Sequence, residues 1–171
     1  RIIRFNSDYY QRFKKQRLQM TDVHSAKIRS KNMSAIKGLN TKPEILIRRM
    51  LHARGFRYRL KNKHLPGNPD LVFPRYSAVI LVHGCFWHVH ECPVFRWPST
   101  RTEWWKEKLL GNKTRDEKNL KRLLDSSWRV CIVWECSLKG KYNLTEEFLA
   151  DQISSWLDSD KKFLILEGKK S

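Results

Sequence analysis

Long apolar runs are missing from this chain. Residues 78–82 (AVILV) make a strand's length, far short of the roughly 20 residues a membrane-crossing helix needs, and no leader with an apolar centre opens the sequence. A soluble, intracellular protein with no membrane partner is expected. Acidic residues are scarce too, 17 against 35 Lys and Arg, for a formal net charge of +18. Residues 1–63 hold 18 basic side chains against Asp8, Asp22 and Glu44, a balance of +15, which leaves +3 for the other 108. Charge so concentrated points to a polyanionic partner, because pairing with phosphates releases condensed counterions, and nucleic acid is the expected one. Cysteine is sparse: four in the chain, with no CxxC pair, which in an intracellular protein argues for metal ligation or free thiols over disulfides. There is no internal repeat. A chain of 171 residues, 40% hydrophobic, suffices for one core and is short for two, so a single domain is expected.

Along the chain, residues 1–19 are basic and aromatic without a clear period and read as an extension that is flexible or folds on binding. Met20 before TDVH resembles a start. Residues 20–40 read as a basic arm that binds DNA, 41–160 as the folded domain and 161–171 as a C-terminal tail. The first helix is expected from Thr41, where T-K-P-E supplies an N-cap, an early Pro and a Glu three residues on, followed by Ile45, Leu46, Met50 and Leu51; Gly55 stops it. Strands are expected at 56–60, 71–73, 78–82 and 129–134, a helical stretch at 102–124 interrupted near Gly111 and Asn112, and a last helix at about 145–157. The order αβββαβα implies an α/β fold of three layers with a central mixed sheet.

The densest chemistry is HGCFWHVHECP, residues 83–93. Tetrahedral zinc asks for four soft or borderline ligands; Cys85, Cys92, one His between them and a distant Cys would supply them, and spacing alone leaves His88 and His90 open. Cys131 lies within an apolar strand, where a thiol acts as a small hydrophobe, whereas Cys136 lies just past the strand end and is the better fourth ligand. The second constellation is Asp70, after the turn-rich PGNP, a carboxylate entering a strand about a dozen residues before a second strand, a pattern of Mg²⁺-dependent nucleases. Phosphodiester hydrolysis also needs a base for water, and His83 and His88 are the candidates. Glu44 is fully explained as a capping-box residue and has catalysis as a second use.

In order from about Thr21 to Gly140, the segments DVH, RSKNMSAI, LPGNPDLVF, HGCFWHVHEC, TRTEWW and WRVCIVWEC resemble the very-short-patch repair (Vsr) mismatch endonucleases, whose fold is restriction-endonuclease-like. The resemblance implies that Asp70 binds catalytic Mg²⁺ together with the backbone carbonyl of Val82. It also makes His88 the general base, with His83 and Glu44 supporting the metal waters and phosphate. Cys85, His90, Cys92 and Cys136 would hold structural Zn²⁺. Phe86, Trp87 and Trp105 would wedge into the duplex, and His24, Lys31, Asn32 and Met33 would contact DNA. The implied activity is a nick 5′ to the T of a T:G mismatch left by deamination of 5-methylcytosine. It would be the work of a monomer in the bacterial cytoplasm, on the nucleoid, in a pathway shared with mismatch-repair proteins and a cytosine-5 methyltransferase. Two departures stand out: Val82 occupies a position where the family leads one to expect Thr, and LVH stands where a second acidic-x-Lys element would fall. The alternatives are a nicking or restriction nuclease acting on matched DNA, which an assay on matched and mismatched duplexes separates, and a zinc-stabilised DNA-binding module, which would bind without Mg²⁺-dependent cleavage.

Overall fold

The computed structural model describes residues 40–60 and 62–169, together with Ile28. The expected extension, nearly all of the arm, and with it His24, Lys31, Asn32 and Met33, lie outside the described residues. Among the described residues no helix is long and apolar enough to cross a membrane.

Helix α1 (Lys42–Ala53) begins as its sequence dictates. Thr41 is in extended conformation, its side chain accepts from the Glu44 amide, and the Glu44 carboxylate accepts from the Thr41 amide, so two of the orphan donors of the first turn are satisfied reciprocally. Arg54 caps the other end and Gly55, at φ +86°, turns the chain away. The buried stripe is Ile47, Met50 and Leu51, while Ile45, expected inside, is 50% exposed. Position 45 lies more than about 100° around the helix from 50 and 51, whereas buried Ile47 and half-buried Leu46 fall on or beside the stripe.

Four strands follow: β1 (Leu71–Phe73), β2 (Ala78–His83), β3 (Arg129–Trp134) and β4 (Phe163–Leu166), in the sheet order β1-β2-β3-β4. β1 and β2 are antiparallel, joined through a short 3₁₀ turn that ends at left-handed Ser77; the other two pairings are parallel, so the sheet is mixed. Alternate residues feed opposite faces. Leu71, Phe73, Ala78, Ile80, Cys131, Val133 and Leu166 pack against α1 and against α4 (Glu146–Leu157), which Thr145 caps. Val72, Val79, Leu81, Val130 and Ile132 pack against Leu123 of α2 (Thr102–Asp125). Helices thus cover both faces, the three-layer α/β arrangement expected.

Three local expectations are corrected. Residues 56–60 form no strand but a single bridge, Arg59 to Val72, because β1 offers only three residues; Phe56 is held instead by a tilted contact to Tyr76 and Tyr58 by an edge contact to Phe73. Helix α2 runs through Gly111 without a break. Glycine costs about 1 kcal/mol there relative to alanine, and the helix is anchored on both sides, by buried Leu109 and Leu123 and by Asn112, whose Nδ2 donates to the Trp87 carbonyl at 3.1 Å. Within the segment read as a tail, Phe163–Leu166 forms β4, a short run hidden in the sequence by charged flanks. A one-turn helix, α3 (Glu135–Leu138), follows β3 directly and places Cys136.

Candidate active site and thiol cluster

The turn at Gly67 and Asn68, both at positive φ, delivers Asp70 to the start of β1 beside the far end of β2. Its amide donates to the Ile80 carbonyl at 3.1 Å, and its Oδ2 accepts from the Val82 amide at 2.7 Å. The other oxygen accepts nothing among the described residues. Burial drives the Asp70 carboxyl up from 3.8 to about 6; the nearby Glu44 charge adds to this, while the Val82 amide, Arg48 and His88 oppose it. A partly desolvated carboxylate with one open oxygen suits a hard divalent cation, whose charge would stabilise the ionised form.

Glu44 is 5% exposed and accepts from Asn40 N (3.0 Å), Thr41 N (3.4 Å), Thr41 Oγ1 (2.8 Å) and Arg48 Nη2 (2.8 Å). The helix cap fixes it beside Asp70 as a compensated charge.

At the end of β2, the His83 ring stacks on His88 with centroids 3.9 Å apart and planes within 2°. Burial, and then the proximity of His88, press the His83 pKa down to about 3, with Asp116 partly opposing, so this ring is neutral near pH 7. His88 Nδ1 lies 2.6 Å from Asp116 Oδ2, on α2. Asp116 escaped the sequence reading. A carboxylate on a charged helix face has no local pattern, and only the packing of α2 on the sheet brings it 28 residues back to His88.

The second cluster gathers Cys85, His90, Cys92 and Cys136, one ligand atom from each, all within 4.8 Å of one another. His90 Nδ1 is 3.5 Å from Cys85 Sγ and 3.6 Å from Cys136 Sγ, while Nε2 meets Glu167 Oε2 at 2.9 Å. The Gly168 amide donates to Cys136 Sγ at 3.3 Å. Burial raises the Cys85 and Cys136 thiols, which leaves them protonated unless a cation offsets the charge. Three sulfurs, one imidazole nitrogen, a carboxylate on the far imidazole nitrogen and an amide on a thiolate match the inner and outer shells of tetrahedral zinc. Cys131 is fully buried in the core and stands outside this group.

The backbone decides which His joins which cluster. Val89, between them, is at φ +50°, a conformation β-branched residues rarely adopt, and the kink turns His88 toward Asp116 and His90 toward the thiols. Trp134 fills the space between the clusters: His90 stacks on it at 3.9 Å, and His83 meets its edge at 5.3 Å. Beyond lies an aromatic group in which Phe86 contacts Trp87 (5.1 Å) and Trp105 (5.3 Å), extended by Phe95, Trp97 and Trp104, none of which the sequence reading singled out. Arg101 and Lys108 lie 5.1 Å from the exposed Trp104 ring, so cations border the aromatics.

Comparison with known proteins finds the family described as DNA mismatch endonuclease Vsr, whose model matches residues 21–94. The chain is 45% identical over 138 residues, 81% of its own length, to 88% of the DNA mismatch endonuclease Vsr of Escherichia coli strain K12. It is 43% identical over 119 residues to the type II nicking enzyme V.XorIIP of Xanthomonas oryzae pv. oryzae (70% of this chain, 88% of that one). It is also 43% identical over 122 residues to V.NmeAIP, a type II nicking enzyme of Neisseria meningitidis (71% and 87%).

Proposed function

Because this chain belongs to the Vsr family of DNA mismatch endonucleases, we propose that it nicks one strand of duplex DNA 5′ to the T of a T:G mismatch left by deamination of 5-methylcytosine. The observation that carries this reading is the juxtaposition, at the adjoining ends of β1 and β2, of the partly buried Asp70 carboxylate with the His88–Asp116 pair.

Asp70 and the Val82 carbonyl would hold Mg²⁺; the Val82 amide already points to Asp70, and in an extended strand the carbonyl of the same residue faces the same edge. Bound there, the ion would polarise the scissile phosphate and stabilise its developing charge. Asp116 accepts the Nδ1 proton of His88, which leaves Nε2 with its lone pair to take a proton from the attacking water. Neutral His83, stacked on His88, buttresses that ring without placing a charge beside it. Glu44 and His83 order water and phosphate near Asp70. With no Lys following a second acidic residue, proton transfer rests on His88.

Phe86, Trp87 and Trp105 form the wedge. Opening a base step costs a few kcal/mol and least at a mispair, so insertion itself selects damaged sites. Cys85, His90, Cys92 and Cys136 hold structural Zn²⁺, which fixes the loop that carries the wedge. The arm, with His24, Lys31, Asn32 and Met33, adds phosphate and groove contacts, and the monomer works in the bacterial cytoplasm alongside mismatch-repair proteins and a cytosine-5 methyltransferase.

A nicking assay on otherwise identical T:G and matched duplexes tests the reading. Preference for T:G is expected, lost in Asp70→Ala; equal cutting of both duplexes would move the enzyme to the matched-DNA nickases, and unchanged nicking by the variant would refute the site.

A further inference from the structure

The His83–His88–Asp116 group has a property that hydrolysis does not use. One ligand atom from each residue lies within 4.8 Å of the others, giving two imidazole nitrogens and one carboxylate oxygen with no sulfur. The His83 ring lies parallel to His88 at 3.9 Å; because imidazole lone pairs lie in the ring plane, the stacked rings do not converge on one point, and one ring must tilt out of the stack to share an ion with the other. The His88–Asp116 pair is 2.6 Å long. Tetrahedral coordination at about 2.0 Å separates neighbouring ligand atoms by about 3.3 Å, so the pair opens by about 0.7 Å to admit an ion between its members. The group is reachable: the His88 and Asp116 side chains are 25% and 30% exposed and line a cavity of about 280 Å³ with Glu91, Lys113 and Glu117. Glu91, 3.6 Å from Lys113, offsets the one cation beside it.

We propose that His83, His88 and Asp116 form a second, inhibitory metal site that takes a borderline divalent transition ion, Zn²⁺ or Co²⁺, in place of the His88 proton relay. Two imidazoles with one carboxylate favour such ions over Mg²⁺, which prefers oxygen ligands and keeps its waters, so the site discriminates against the ion required at Asp70. Three protein ligands leave a fourth position to water. Inhibition follows from the tautomer. An ion on Nδ1 displaces the proton that Asp116 accepts, and the neutral ring then carries its hydrogen on Nε2; an ion on Nε2 takes the lone pair directly. Either way His88 no longer accepts a proton from water. Occupancy of the site is independent of the proposed reaction, whereas its inhibitory effect rests on His88 as base.

The test starts from protein carrying one equivalent of zinc in its thiol cluster, titrated with Co²⁺ under saturating Mg²⁺. A second equivalent is expected, with visible ligand-field bands and without the thiolate-to-cobalt charge transfer that a sulfur site gives. It is expected to vanish in His83→Ala and in Asp116→Ala, with the retained zinc equivalent reporting that each variant is folded. Zinc titrated into the nicking assay of the unaltered protein should lower the rate by about 10²-fold at saturation, the contribution typical of a general base, and a chelator weak enough to spare the thiol cluster should restore it. Absence of a second equivalent, or its survival in both variants, overturns the site. Filling without loss of nicking overturns the inhibition while leaving the site, and a protein that binds cobalt as described but never nicks T:G DNA refutes the proposed reaction instead.

Discussion

Replacing Asp70 by Asn is expected to make the metal-free protein more stable and inactive at once. In the fold the carboxyl titrates at about 6 against an ordinary 3.8, chiefly because burial opposes its charge. At 1.36 kcal/mol per pKa unit, that gap is a destabilisation on the order of 3 kcal/mol once the group is ionised in both states. The sign follows from proton binding: the folded carboxyl holds its proton more tightly than the unfolded one, so stability falls as pH rises from about 4 to about 6 and levels off above. The substituted carboxamide keeps an oxygen to accept from the Val82 amide and has no charge to desolvate. Melting temperatures at pH 8 without divalent ions should therefore rise by about 6–12 °C in the variant, the shift typical of a domain this size. The difference should shrink through the pH 6 to 4 window and vanish below it. Millimolar Mg²⁺ should raise the unaltered protein's melting temperature and leave the variant's unchanged, and the variant should not nick. A variant that melts no higher at pH 8, or whose advantage persists at pH 4, would refute the idea that desolvation of Asp70 strains this fold.

Other outcomes follow from the same geometry. Asp116→Asn should lower kcat by about 10²-fold with little change in KM, because an amide can present its NH₂ to His88 Nδ1 and hold the wrong tautomer; an unchanged kcat would detach Asp116 from the reaction. Trp105→Ala should weaken binding to T:G duplex by about 1–3 kcal/mol and matched duplex by less, measured by titration; equal losses would argue against a wedge. Stripping zinc should lower the melting temperature and speed amide exchange in residues 84–97, and protein shown to be zinc-free yet unchanged in both would exclude a structural metal there. Gly111→Ala should stabilise by about 0.5–1 kcal/mol without affecting nicking, since a Cβ there meets nothing within 4 Å and the residue is exposed inside a helix; destabilisation would mean that the helix needs its glycine.

What could be read from the sequence was whatever has a local cause. The Thr41 cap, the burial of 78–82 and 129–134, and the thiol at a strand end each follow from neighbours in the chain. What could not be read depends on distant packing. His88 and His90 are chemically alike and two residues apart, and only the unusual backbone at Val89 divides them. Asp116 has meaning only once α2 crosses the sheet, and β4 only once β3 offers it an edge. The strand expected at 56–60 failed in the opposite way, its pattern being right and its partner too short.

Helix α2 carries Trp105 near one end and Asp116 eleven residues later, on an unbroken stretch. Eleven residues advance the helix by about 16 Å and turn it three times with only about 20° to spare, so the two side chains share a face. On the proposed function, the place where the duplex is pried apart and the phosphate that is cut are thereby geared to one rigid screw. One residue added near Gly111 would turn Asp116 by about 100° relative to Trp105. Substitutions on that helix are therefore expected to be far better tolerated than changes in its length, and on the proposed function the distance from mispair to nick follows the pitch of a helix.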